Sequence, residues 1–585
     1  MFAVKRLMFY HRDATETDTD VPAITARVDA RSIKAEAPIP QTETINGMKD
    51  REMARRSVRM AIAAIAAASM LIPLAACGGS GKATTDANGK PIVTIEVRRN
   101  VTDNPMKKTQ YSKDLEAACD CTINWQEISD NAWGQQKAAK MAAGDFPDIG
   151  LSLYDSTDVT KYSSQFEDMS KDLSKLPNVK KFFKAQPDAK KFAEDNGHLY
   201  LLPSDRGKGY RVSGTHMFIN KTWLDKLGLP VPTTWDELKT TLEAFKTKDP
   251  NGNGKADEVP MNIRGLGFGL WSPLTLLNST GLTTSFMGAS ASSQGYYVKN
   301  GKVASYLTSN ELKDTISYLH SLMAEGLIPK DALTRDASKY NSQTISDGKT
   351  AISGVTFGWS NYSEFGDKLG EQYITLPPLK QKASDPDSQV KWDYSQPAAE
   401  YAYVLSLNPK TVNKDAALKL INAMYSEKLS VSGFYGSIPD IVTDNGNHKY
   451  TIDKAKAYAE YPDTRAVALQ DRFAGWIPDD VTIVNDTNAE QVTASDQAVR
   501  KVIEENVNPT KDVIPIWVHP SSEDMDTLSN NNTAIFNYTD NQLAKWVQKG
   551  GIDSEWNDYL KKVKEPTLGL ETNIKIWQKY YDKQA

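Results

Sequence analysis

Residues 217–260 read MFINKTWLDKLGLPVPTTWDELKTTLEAFKTKDPNGNGKADEVP, and the rest of the chain can be placed from this stretch. Its tail, 249–258, is DPNGNGKADE, with oxygen-bearing side chains at alternate positions. Counting Asp249 as position 1, Asn251 and Asn253 fall at 3 and 5, Gly254 at 6, Lys255 at 7 and Asp257 at 9. That is the ligand spacing of an EF-hand loop: side-chain oxygens at 1, 3, 5 and 9, a peptide carbonyl at 7, and glycine at the sharp turn. Position 12 is Pro260, so the usual bidentate Glu is missing and Glu258 is the available substitute. Three acids with two amides suit a hard cation of Ca²⁺ size better than Mg²⁺. The expected metal set is therefore Asp249, Asn251, Asn253, Lys255 through its carbonyl, Asp257 and Glu258, with calcium as a structural cofactor. A solvated Asn-Gly turn is the competing reading, because such pairs turn the chain without a metal. Upstream, Thr234 and Glu237 have capping-box spacing. They open an expected helix over 235–246 with Leu238, Leu242 and Phe245 on one face. Nothing in the loop offers a nucleophile or a general acid.

The chain has 585 residues, 40% hydrophobic and 24% charged, with net charge −5. That is ample for two sizeable cores. Slight acidity and the lack of a basic stripe argue against a nucleic-acid partner. Twelve Trp and 25 Tyr supply flat rings for stacking on sugars, although most must serve the cores. Arg51, Arg55, Arg56 and Arg59 precede an apolar run over 60–74, which is too short to span a membrane comfortably. The run ends in Leu74-Ala75-Ala76-Cys77, which resembles a bacterial lipobox. Residues 48–77 are thus expected to be a lipoprotein signal peptide, Cys77 the lipidated residue, and 78–90 a polar tether. The protein is expected at the cell surface, anchored through lipid to the outer face of the cytoplasmic membrane. Residues 1–47 are polar and lie upstream of the signal. They are expected to stand outside the mature protein, with translation starting at Met48 or Met53. Cys119 and Cys121 could be a strained disulfide or two half-buried thiols, and zinc would need further ligands nearby.

An alternating strand over 92–98 is followed by a helix at 112–118, a strand at 122–126, a helix at 135–141 and a strand at 150–154. Strand and helix in alternation with short joints predict an α/β fold with a parallel sheet. Several phrases then resemble extracellular solute-binding proteins of ABC importers. They are Asn220-Lys221-Thr222-Trp223-Leu224, Leu227-Gly228-Leu229-Pro230, and Pro232-Thr233-Thr234-Trp235-Asp236-Glu237-Leu238. Gly144-Asp145-Phe146-Pro147-Asp148-Ile149 and Glu325-Gly326-Leu327-Ile328-Pro329 add to them, as does Phe357-Gly358-Trp359-Ser360-Asn361. Their shared order covers roughly residues 90–585. The length and the metal loop are similar to the large calcium-containing alginate- and fructan-oligosaccharide binders.

The resemblance implies a two-lobe fold of the type II periplasmic-binding kind, with a hinge and an inter-lobe cleft. Crossings are expected at 211–220 and 401–407. Lobe 1 would comprise 91–210 plus 404–465, and lobe 2, carrying the metal loop, 211–403 plus 466–585. Loops at the carboxyl ends of such strands face ligand. The implied binding residues are Tyr154, Asp155, Asp205, Arg206, Tyr210, Trp271, Trp359, Arg472 and Trp476; each ring could equally be core. An oligosaccharide, a pair of permease subunits and the membrane are the implied partners, with the protein a monomer.

Enzyme motifs are missing. Histidines are scattered singly at 11, 198, 216, 320, 448 and 519, and no G-x-S-x-G elbow, H-E-x-x-H helix or P-loop occurs. Paired carboxylates can always be chosen from 74 acids, so a surface-anchored glycosidase or lyase is the alternative reading. The expectation is a binding protein without catalytic residues.

Overall fold

The computed structural model describes residues 84–100, 104–456 and 467–584. The leading extension, the signal segment, Cys77 and the first part of the tether lie outside the described residues.

Strands β1 (Ile92–Arg98), β2 (Thr122–Ile128), β3 (Ile149–Leu151) and β4 (Leu201–Asp205) come first. They are followed by β5 (His216–Asn220), β6 (Val259–Met261) and the hairpin β7 (Tyr296–Lys299) with β8 (Lys302–Ser305). Next are β9 (Ser353–Gly358), β10 (Tyr373–Thr375) and β11 (Tyr401–Leu407). Short strands β12 (Val442–Asp444), β13 (Lys449–Ile452) and β14 (Thr482–Val484) form a small sheet. Lobe 1 is built on the sheet β2-β1-β3-β11-β4, parallel except for β11. Lobe 2 is built on β10-β5-β9-β6, with β6 and β9 parallel and β5 running against β9. Helices cover both sheets, which is the expected α/β architecture.

The local causes are legible. In β1, Val93, Ile95 and Val97 are fully buried in the lobe 1 core. Helix Gln110–Cys119 is capped by Thr109, whose hydroxyl accepts from Ser112 N, and ends where Asp120 turns left-handed. Cys119 and Cys121 are joined as a disulfide just beyond it, which decides between the two readings of that pair. In lobe 2, helix Trp235–Thr247 begins at Thr234, which accepts from Glu237 N, while Glu237 accepts from Thr233 N. Trp235 stacks on Tyr318 at 4.7 Å, and Trp223 packs edge-on to Phe245 at 5.1 Å, so the signature block is core.

The crossings differ from expectation. β5 is a strand of the lobe 2 sheet and β11 lies within the lobe 1 sheet, so neither is a crossing. The chain passes between lobes at 206–215 and again at 394–400. It does so a third time along helix Thr487–Asn506, where Ala489 belongs to the lobe 1 core and Val499 and Ile503 to the lobe 2 core. The three paths are tied together. Gly214 N donates to Ser395 Oγ at 2.7 Å, and Ser213 N donates to Asp496 Oδ1 at 2.8 Å. The boundary near 466 also moves: Val467, Phe473, Trp476 and Val481 fill the lobe 1 core, so lobe 2 resumes only within the third crossing. Beyond it, helices Ser522–Lys549, Ile552–Val563 and Leu570–Gln584 complete the lobe 2 core.

Candidate functional site: the inter-lobe cleft

On lobe 1, the parallel strands β1 to β4 end on the edge from which the chain leaves for lobe 2. Arg98 closes β1, Asp130 opens the helix after β2, Asp155 follows β3 and Arg206 follows β4. Asp130 sits between two guanidiniums, with Arg98 Nε at 3.0 Å and Arg472 Nη2 at 3.3 Å. Burial, and then the neighbouring Arg472, bring the Arg98 guanidinium down to about 10. Asp155 caps helix Ser156–Tyr162, accepting from Thr157 N and Asp158 N, while the Asp158 carboxylate accepts from Asp155 N. Lys137 Nζ lies 3.1 Å from Asp155 and 2.5 Å from Asp158. Arg206 pairs with Asp471 at 3.0 Å and lies over the Tyr210 ring at 4.7 Å.

On lobe 2, β6 and β9 end at the edge where β5 begins, so their following residues face the same gap. Trp359 follows β9, and its carbonyl accepts from His216 Nδ1 at 2.8 Å. The Arg206 guanidinium stands 6.0 Å from the Trp359 ring centre, so the two walls meet here. Arg264 follows β6 and is clasped between the rings of Trp271, at 4.4 Å, and Tyr340, at 4.8 Å. Its Nη2 pairs at 2.8 Å with Glu364, a buried carboxylate of helix Asn361–Gly370. Burial opposes the charge on Arg264, but Glu364 and Tyr340 outweigh it and hold the guanidinium protonated beyond its ordinary range. Trp271 has φ +61 and donates from Nε1 to Gly214 O at 2.9 Å, which fixes its ring against the first crossing.

Of the sequence-derived residues, Asp155, Arg206, Arg472, Trp271 and Trp359 gather at this gap. Four others do not. Tyr154 is enclosed by Trp133, Phe146 and Phe166. Trp476 stacks on Phe182 at 5.3 Å and donates to Tyr425 O in the lobe 1 core. Tyr210 is 3% exposed and packs on Phe434, and Asp205 is fully buried. Around the three rings the packing partners are not adjacent in sequence. Sequence reasoning missed Arg98, Asp130, Asp471 and Glu364. Arg98, Asp130 and Glu364 had one local signal, a charged residue at the end of a strand or near the start of the following helix, and Asp471, in a short turn, had none.

Beneath the gap, Asp205 and Glu400 meet at the crossings. Asp205 accepts from Gly207 N, while Glu400 pairs with Arg211, whose other nitrogens reach Asp479 at 2.8 and 2.9 Å. Burial, first, raises both buried carboxyls far above the ordinary range, to about 7 for Asp205, where Asp479 adds to it, and to about 8 for Glu400, where Asp205 adds to it.

The loop 249–258 is remote from this gap, before β6 on its far end. Asp249 accepts from Gly252 N and Gly254 N, Asn251 from Asn253 N, and Asn253 from Lys255 N. Gly254 has φ +75, the left-handed turn the spacing requires. The Asn251 and Asn253 amides donate to Asp257, and Glu258 Oε1 is buried without a partner. Among the described residues no three His, Cys, Asp or Glu side chains converge to hold a metal by themselves.

Two α/β lobes joined by three crossings, with paired rings and charges on facing strand ends, define a protein built to enclose a solute between its halves. Residues 103–429 match the bacterial extracellular solute-binding protein family, and the chain belongs to it. It is 28% identical over 402 residues to the fructooligosaccharide ABC transporter substrate-binding protein FusA of Streptococcus pneumoniae serotype 4, an alignment spanning 66% of this chain and 70% of that protein. A solved HMO binding ABC-transporter associated solute binding protein from Bifidobacterium longum infantis is 49% identical, with TM-score 0.81, covering 84% of this chain and 99% of that one. A FusA EF-hand mutant in complex with fructo-nystose, at 24% identity and TM-score 0.67, covers 84% of this chain and 99% of its own and shares the fold. The relatives are substrate-binding proteins, not enzymes, which agrees with the expected class.

Proposed function

We propose that the cleft between the lobes captures an oligosaccharide and presents it, by lobe closure, to the transmembrane subunits of an ABC importer. The observation that carries this reading is the convergence of Trp359 and Arg206 from opposite lobes, with Trp271 and Arg264 beside them. An apolar sugar face stacks on a ring while planar charged groups take its hydroxyls. A solute held by both walls touches both only when they approach, and that differential contact shifts the open–closed equilibrium. Asp155, Arg472 and Arg98 extend the polar wall along lobe 1. Calorimetric titration with oligosaccharides, together with X-ray scattering, tests the reading. A saturable heat and a smaller radius of gyration at saturation are expected. An unchanged radius at saturation would exclude closure, and no heat from any oligosaccharide would exclude the ligand class.

The loop 249–258 is proposed to hold calcium through Asp249, Asn251, Asn253, Asp257, Glu258 and the Lys255 carbonyl. The fit rests on the partnerless buried Glu258 oxygen and on turns that already direct the oxygens of Asp249 and Asn251 into the loop. A cation would take the place of the amide donors that now face Asp257. Such an ion would add folding free energy and no chemistry. Surface anchoring through Cys77 is proposed on the lipobox alone. Metabolic lipid labelling should mark the wild type and not Cys77→Ser, and lipid on the variant would refute it.

A further inference from the structure

The charges around the cleft are spent on one another. At the lobe 1 wall, the Asp130 carboxylate is shared by Arg98 and Arg472, and Arg206 is met by Asp471. Lys137 is divided between Asp155 and Asp158. At the lobe 2 wall, Arg264 is fixed on Glu364 and held flat between two rings. Behind it, Arg335 gives its guanidinium to Asn262 Oδ1, the Ile263 carbonyl and Gln343, all neutral acceptors within lobe 2.

Such a cleft offers many planar donors and acceptors, and on the lobe 1 wall four cations, Arg98, Arg472, Arg206 and Lys137, face four carboxylates, Asp130, Asp471, Asp155 and Asp158. An incoming carboxylate would meet an acid beside each of these four cations and beside Arg264. To bind Arg264 it would have to draw that guanidinium away from the buried Glu364 carboxylate, and breaking such a buried pair is costly. Asp471 is exposed and could swing away, but that frees Arg206 alone. A hydroxyl group needs no such exchange, because it can donate to the carboxylate and accept from the guanidinium of an intact pair.

We infer that this cleft selects uncharged oligosaccharides over sialylated or uronate-containing ones, with Asp471 and Glu364 as the residues that set the preference. The inference rests on oligosaccharide capture, and its test separates the two. Calorimetry on the full-length protein uses a panel of neutral oligosaccharides of hexose and N-acetylhexosamine units, the same compounds carrying one sialic acid, and oligouronates of equal length. The neutral members are expected to bind at least ten-fold tighter than their charged counterparts. Asp471→Asn, at an exposed position that leaves folding intact, should narrow that ratio at least three-fold by freeing Arg206. Glu364→Gln should narrow it further, with its melting curve reporting whether lobe 2 stays folded. Charged probes binding as tightly as neutral ones, or an unchanged ratio in a folded Asp471→Asn, would overturn the selectivity while leaving oligosaccharide capture intact. Heat from neither class would overturn both.

Discussion

At the scale of single residues, two tryptophans with similar sequence surroundings have opposite fates. Trp359 follows a strand, as Trp476 follows a short loop, and both were candidates for stacking on sugar. Trp359 is partly buried at the margin of the lobe 1 core, 6.0 Å from the Arg206 guanidinium, whereas Trp476 is packed on Phe182 with its indole N–H bonded to Tyr425 O. Trp359→Ala should therefore weaken oligosaccharide binding by about 1–3 kcal/mol and barely move the denaturation midpoint. Trp476→Ala should do the reverse, costing about 3–5 kcal/mol of stability by emptying a packed site. Calorimetry and urea titration of the two variants check this directly. The difference could not be seen in sequence, because Phe182 and Tyr425 come from segments far away in the chain. The ion pairs were hidden for the same reason: Asp130 becomes a partner of Arg472 only once both stand on the same edge of the sheet.

At the scale of elements, most of the fold was legible. The helices and strands of the first βαβαβ run and the capped helix after Thr234 lie within a few residues of their expected bounds. What failed was the path between lobes, since a buried apolar strand such as β11 looks the same whether it crosses or stays. The loop 249–258 is the element whose role depends on an added ion. Calcium should raise the melting temperature, and chelator or Asp249→Ala with Asp257→Ala should lower it, with solute affinity little changed while the protein stays folded. No response of the melting curve to either calcium or chelator would count against the site. The crossings carry their own dependence on pH. Asp205 and Glu400 have folded-state values raised above the ordinary carboxylate values of 3.8 and 4.5, so the native state holds protons that the unfolded chain releases. Their stabilising effect is complete below about pH 4 and is lost as pH rises to about 8. Asp205→Asn should flatten this slope, gaining at least about 1 kcal/mol on the wild type at pH 8 relative to pH 5. Parallel slopes in urea titrations of both proteins would show that burial at the hinge is compensated elsewhere.

At the scale of the whole molecule, the two lobes have separate cores yet share an axle. Helix Thr487–Asn506 has its first turn in one core and its later turns in the other, and its Asp496 accepts from the first crossing at Ser213. Two connecting segments alone would let the halves twist as well as nod. A helical rod bonded to the first of those segments, which is itself bonded to the second, opposes the twist and favours rotation about a single line. The rod also couples fates: if either half loosens, it drags one end of a shared helix out of its socket and weakens the other half. Heat should therefore melt the pair as one unit. The same rod would let a permease sense the filled state through one reproducible shape, whatever the length of the sugar inside.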